Sequence, residues 1–340
     1  MRALVYEGPR ILQMRDIPEP QPTPDEILVR VAFSGICGSE LSGYLGQNTL
    51  RKPPLVMGHE FAGTIEDRGS AAAARYPTLT PGRRVTVNPL IYCGACRFCL
   101  DGRQNLCVSR TLLGAHRPGS YADKVAVPAH MVVPIPESMS MERAALTEPL
   151  ACSLRAVRQG VCTTRDRVLV IGLGPIGLLA LQVAKAAGAA TLLASDTDPD
   201  RRAMGEQIGA TVLDPLAEDV VARTGELTSG FGADLVIDAV GTPATRRQAI
   251  MAAEPGGRVV LVGLHEEESE LMINPIIRRE IRLIGSFSYV PNDFAEALEW
   301  LAADRVLIDR WMITAPLEEG QACYERLLSK PGPVSKILLY

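Results

Sequence analysis

The sequence predicts a two-domain α/β chain: a β-rich, barrel-like domain and a doubly wound domain with a parallel sheet. Three observations carry that expectation. The chain has 340 residues, and at roughly 150 residues per domain this length favours two domains. Residues 1 to 148 are rich in Pro and Gly, with short β-type runs set apart by turn signals, the pattern of an antiparallel barrel. From residue 150 to 286 strands alternate with helices, which implies βαβ units.

The elements follow in order. In the first domain, residues 27–33, 84–87 and 124–127 read as strands, and the alanine run 71–74 reads as a surface loop. In the second, residues 167–172 form a buried strand followed by a helix through Ala187. Strand 191–196, helix 201–208, strand 233–240, helix 243–253 and strand 258–263 continue the alternation. These strands are nearly continuous apolar runs, as expected when helices cover both faces of a sheet. Residues 281–286 read as the last strand, 293–303 as an amphipathic helix and 335–339 as a short apolar strand. The terminal stretch is too short for a third domain, so it completes one of the other two.

Composition removes several classes of function. Hydrophobic residues at 47% and charged residues at 22% argue against extensive disorder. A net charge of -4 supplies no basic field for nucleic acid or an anionic membrane. With 5% aromatics, a stacking platform for single strands is not expected either. No apolar run reaches 18 residues, so no membrane span is predicted. Residues 1–8 lack an apolar stretch with a cleavage site and read as a first strand, which places the chain in the cytoplasm.

Gly172-Leu173-Gly174-Pro175-Ile176-Gly177 matches G-x-G-x-x-G directly after a strand and at the start of a helix, the context a dinucleotide loop requires. Gly172 permits the tight turn, Gly174 lets the backbone approach a pyrophosphate, and Gly177 lets the helix pack against the strand. Asp196 ends the next strand, 19 residues after Gly177. A carboxylate there accepts from ribose hydroxyls and repels a 2′-phosphate, which favours NAD over NADP. Arg201 and Arg202 weigh slightly the other way.

Four of the eight cysteines fall in one run, Cys93-x2-Cys96-x2-Cys99-x7-Cys107. In a reducing compartment this spacing points to metal rather than disulfides. Four thiolates close a tetrahedral zinc site and leave no position for substrate, so such a site is structural; spacing alone also allows an iron–sulfur cluster. A second, dispersed set comprises Cys37, His59-Glu60 and Glu148-Pro149. One thiolate, one imidazole and a carboxylate with an open position make a catalytic zinc pattern. Glu148 before Pro149 also reads as a helix N-cap followed by proline at the first helical position.

Together these residues resemble the zinc-dependent medium-chain dehydrogenases, the alcohol dehydrogenase superfamily, over essentially the whole chain. The nearest likeness is to the polyol dehydrogenase branch, sorbitol-type and sugar-alcohol-phosphate-type. Glu148-Pro149-Leu150 stands where simple alcohol dehydrogenases carry a cysteine ligand. The resemblance implies a GroES-like catalytic domain from residues 1–149 and 287–340, with the structural zinc lobe near 90–110. A Rossmann NAD-binding domain would occupy residues 150–286 between them. It implies that Cys37, His59 and one glutamate, Glu60 or Glu148, hold the catalytic zinc, while Ser39 and the carboxylates take part in catalysis. Lys336 resembles the basic residue that contacts the pyrophosphate; a solvent-facing lysine is the alternative.

Two departures stand out. Many relatives read Cys-Gly-Thr/Ser-Asp-x-His, and here Glu40 replaces the aspartate and Ser42 the histidine. Glu40 can still orient the metal-binding histidine with a longer reach. Ser42 has no useful pKa near neutrality, so the usual end of the proton relay is missing. The expected reaction is NAD-linked, reversible oxidation of a secondary alcohol, with a polyol, sugar alcohol or cyclitol foremost. Threonine-type and simple-alcohol dehydrogenases are alternatives on the same fold, and a non-catalytic nucleotide-binding scaffold is one from another class. Arg51-Lys52 reads as a solvated pair, or less often as a contact for a substrate phosphate. His116, His130 and His265 have no ligand-spaced neighbours. An apolar sheet edge at 281–287 suggests a homodimer or homotetramer.

Overall fold

The structure, a computed structural model, describes residues 1–47 and 50–340. The chain divides into two units. One comprises Met1–Glu148, Val290–Arg305 and Asp309–Tyr340, and the other Pro149–Tyr289 with Val306–Ile308.

The first unit is built on a seven-stranded sheet in the order Val132–Pro134, Arg84–Val87, Glu60–Arg68, Glu26–Gly35, Lys336–Leu339 and Met312–Ala315, with Lys124–Pro128 also paired to Glu26–Gly35. All four residues of the C-terminal strand are buried, and the strand lies inside this sheet with a backbone partner on each edge. It lies antiparallel to Glu26–Gly35, with Leu338 opposite Gly35, and parallel to Met312–Ala315. Gly35 also lies opposite Glu60. These two registers bring Cys37, Glu60 and Lys336 to one end of the sheet.

The alanine run expected as a loop is a helix, Ser70–Arg75. Alanine has the highest helix propensity, and the buried Ala72 ties the turn to a core with Ile65, Leu79 and Val85. Glu148 does not cap a helix. The helix Thr147–Gln159 already includes it in the first turn, after a short helix Met141–Ala144 capped by Ser140. Pro149 falls where the first-turn amides have no acceptor in any case, so proline is accommodated two residues later than the sequence suggests.

The second unit holds a six-stranded sheet in the order Thr211–Leu213, Thr191–Ser195, Arg167–Ile171, Ala233–Asp238, Ala253–Leu261 and Arg282–Gly285. Every pairing in it is parallel. The sequence-predicted strands and helices appear with ends shifted by a few residues. Thr211–Leu213 and the helix Val220–Leu227 are added. The central strands bury apolar stretches, residues 168–171 and 235–237, as doubly wound topology demands, with Arg167 and Asp234 half-buried at their starts and a buried Asp238 ending the second.

Candidate active site

The four cysteines of the lobe converge. All four sulfurs lie within 4.8 Å of one another, with Cys93–Cys99 at 3.9 Å, Cys96–Cys99 at 3.5 Å and Cys93–Cys107 at 3.5 Å. A tetrahedron with zinc–sulfur bonds of about 2.3 Å has edges of about 3.8 Å, so the thiols fit a zinc ion. The amides of Ala95 and Cys96 donate to Cys93 Sγ at 3.5 and 3.3 Å. Those N–H groups lower the Cys93 thiol to about 6, while burial pushes the Cys99 thiol up to about 12; bound metal would draw off the proton.

At the second cluster, ligand atoms of Cys37, His59 and Glu60 also lie within 4.8 Å of one another. Cys37 caps the helix Gly38–Tyr44, and Glu60 starts the strand Glu60–Arg68. Their approach depends on Gly35, where a Cβ would stand 2.4 Å from Glu60 Oε2. One soft thiolate, one imidazole and one carboxylate suit zinc. Glu148 is buried outside this trio, and its charge acts on Lys336.

Glu40 performs the orienting role expected of a shorter aspartate. It is wholly buried, and its Oε1 meets His59 Nδ1 at 2.8 Å and accepts from Gly58 N at 2.8 Å. Its Oε2 accepts from Cys37 N at 3.1 Å and Tyr121 Oη at 2.5 Å. Burial pushes this carboxyl up, but His59, Arg51 and the hydrogen bonds outweigh it and hold it at about 2. Tyr324 extends the network by donating to Tyr121 at 3.3 Å.

Lys336 does not face solvent. It is 1% exposed. Its Nζ donates to Glu60 Oε1 at 2.9 Å, Glu60 Oε2 at 2.6 Å and Ile36 O at 2.9 Å. The ammonium's three donors are thus spent within the first unit, and none is left over here for a pyrophosphate. Burial works against its charge, but Glu60 and Cys37 raise its pKa above the usual value.

Ser39 Oγ donates to Cys37 Sγ at 3.5 Å and accepts from Arg51 Nη2 at 3.2 Å. Arg51 and Lys52 therefore part company: Arg51 is buried against Ser39, and only Lys52 is exposed. The pair is not the solvated one expected from charge alone. Ser42 lies one turn on, in the same helix. Of the remaining histidines, His116 accepts from Leu112 N at 3.1 Å, His130 meets the Tyr92 ring edge-on and His265 is exposed.

In the second unit the glycine loop links Arg167–Ile171 to the helix Pro175–Ala186, with Gly174 as N-cap and Pro175 at the first helical position. Gly174 offers no side chain to the helix's first amides, which leaves them for an anion. Gly177 is obligatory, since a Cβ would stand 1.8 Å from Gly172 O. Ile176 is half-buried on that first turn. Asp196 accepts from Leu173 N at 2.6 Å and Asp198 N at 2.8 Å, which ties the acidic strand end to the glycine loop. Arg202 is committed to Asp214 at 2.8 Å and to the carbonyls of Asp196 and Thr197. Arg201 stands 4.0 Å from the Asp196 carboxylate.

Residues 23–137 match the alcohol dehydrogenase GroES-like domain and residues 175–303 the zinc-binding dehydrogenase family. The chain belongs to the zinc-dependent medium-chain dehydrogenases, as a zinc- and NAD-dependent enzyme acting on a secondary alcohol. It is 34% identical to the D-arabitol-phosphate dehydrogenase of Enterococcus avium, across 96% of this chain and 94% of the relative. It is 31% identical to a sorbitol dehydrogenase of Bacillus subtilis, across 100% and 97% of the two chains. An alcohol dehydrogenase from Escherichia coli, solved with NADH, superposes with a TM-score of 0.90 at 28% identity, covering 100% of this chain and 98% of that one.

Proposed function

We propose that the chain reversibly oxidises a polyol, a sugar alcohol or its phosphate, or a cyclitol, to the ketone. The observation that carries this reading is the carboxylate-bearing trio Cys37, His59 and Glu60, with a further buried glutamate, Glu148, where simple alcohol dehydrogenases have cysteine. The sugar-alcohol relatives support it.

Cys37, His59 and Glu60 hold the catalytic zinc, and Glu148 supplies a second carboxylate to the site. Cys93, Cys96, Cys99 and Cys107 hold the structural ion. Bound at the first trio, zinc supplies a Lewis acid to the substrate hydroxyl. Glu40 keeps His59 in one orientation, and Lys336 offsets the Glu60 charge. Ser39 Oγ takes the hydroxyl proton and releases its own towards solvent, and NAD, when bound, would supply the hydride acceptor. Gly172, Gly174, Pro175, Ile176 and Gly177 seat the pyrophosphate, and Asp196 with Arg201 meets the adenosine ribose. The family pattern also assigns Lys336 to the pyrophosphate, a contact that would require it to release Glu60. We place the enzyme in the cytoplasm as a homo-oligomer. Among the described residues no helix is long and apolar enough to cross a membrane.

The test is NADH formation, read by absorbance, across free polyols, polyol phosphates, cyclitols, threonine and simple secondary alcohols. Turnover confined to the polyhydroxylated compounds is expected. Preference for threonine or a simple alcohol would overturn the substrate class, and silence with one zinc per chain would favour a scaffold.

A further inference from the structure

We propose that Arg51 positions the Ser39 hydroxyl for the proton step. The proposal rests on the reading of Ser39 as the group that takes the substrate proton. Arg51 is 4% exposed, although arginine is rarely buried without a task. Taking a guanidinium out of water is unfavourable unless partners compensate. Its charge acts on the buried Glu40 carboxylate, and among the described residues its hydrogen bonds go to Ser39: Nη1 donates to Ser39 O at 3.1 Å and Nη2 to Ser39 Oγ at 3.2 Å. Nε is buried with no hydrogen-bond partner among the described residues. The helix Gly38–Tyr44 is shaped for this side chain, because a Cβ at Gly43 would stand 2.6 Å from Arg51 Cδ.

The grip has a defined chemical effect. A hydroxyl has one hydrogen and two lone pairs. The Ser39 hydrogen is directed at Cys37 Sγ, 3.5 Å away, and one lone pair is taken by Arg51. One lone pair is left, and it accepts the substrate hydroxyl hydrogen. Arg51 stays protonated throughout, so it carries no proton itself. In the step, the substrate O–H bond breaks as a new O–H bond forms at Ser39; the original Ser39 O–H turns away from Cys37 Sγ and breaks, its proton passing to a solvent water. The two electrons of the C–H bond leave with the hydride to NAD. Arg51 is therefore a positioning residue, acting through Ser39 with a fixed geometry and a fixed positive charge.

The experiment compares Arg51→Gln, Arg51→Lys, Gly43→Ala and Ser39→Ala in the zinc-loaded enzyme and after cobalt exchange at the Cys37 site. In Arg51→Gln we expect kcat to fall about 10- to 100-fold, with KM for alcohol and NAD held within about twofold. Both zincs should remain bound, and Arg51→Lys should recover part of kcat. Gly43→Ala should reproduce the loss by displacing the guanidinium, and it carries the test if Arg51→Gln does not fold. A readout that needs no substrate is the sulfur-to-cobalt charge-transfer band. Loss of the Ser39 hydrogen bond to Cys37 should move it to longer wavelength in Arg51→Gln and Ser39→Ala alike. An unmoved band, an unchanged kcat, or a raised KM at constant kcat would each overturn the proposal; the last would make Arg51 a substrate contact. If the native enzyme turns over no polyol, the substrate reading fails while the cobalt band still decides on Arg51.

Discussion

Lys336 and Glu60 form an ion pair between residues 276 positions apart, and both are 1% exposed. Breaking such a pair from one side leaves an uncompensated buried charge, at a cost of about 3–5 kcal/mol. Lys336→Met should lower the stability of the metal-stripped protein by about that amount. In the zinc-loaded protein the loss should be smaller, because the Glu60 carboxylate then faces a cation. Denaturant unfolding of both forms checks this, and equal losses would show that Glu60 is not a ligand. Cys37→Ala bears on the same trio. Metal analysis should find one zinc per chain in place of two, with turnover nearly abolished and the far-ultraviolet spectrum unchanged. Two zincs retained would remove Cys37 from the site.

The elements that carry this chemistry meet through backbone close approach. Gly35 faces Glu60 across the sheet, and the space a methyl group would need is occupied by Glu60 Oε2 at 2.4 Å. Gly35→Ala should therefore push the Glu60 carboxylate off its position. The expected result is weakened binding of the catalytic zinc, measured by chelator competition, with the four-cysteine zinc unaffected. Equal weakening of both ions would point to general unfolding. How legible such features were depended on their sequence range. The glycine loop, Asp196 and the cysteine run are local patterns, and each of those elements was readable with its neighbours. Glu40 reaching His59 was also within range, since the motif around Cys37 names the position. The contact of Lys336 with Glu60 and that of Tyr121 with Glu40, 276 and 81 residues apart, depend on strand registers that no single-sequence pattern specifies. Arg51 was seen only as charge, because its burial follows from the slot at Gly43 rather than from its own neighbours.

At the scale of the whole molecule, the second unit leaves one feature unanswered within a single chain. Arg282–Gly285 ends its sheet and pairs on one side with Ala253–Leu261; among the described residues no strand takes its other side. Natural edges are usually short, charged or covered. This one is short but carries Leu283 at 37% exposure, with Phe287 at 41% and Ile277 at 66% nearby in sequence. Unpaired backbone groups beside exposed apolar side chains favour a second copy that extends the sheet, and a two-fold axis lets the same edge serve both subunits. Sedimentation equilibrium should return twice the chain mass, or four times if two such dimers associate. Leu283→Lys places a like charge from each subunit beside that axis, and an edge lysine is a recognised block to strand pairing. It should shift the protein to monomer while both zincs stay bound. A native chain that sediments as a monomer, or a Leu283→Lys variant as oligomeric as the native one, would remove this edge from the interface.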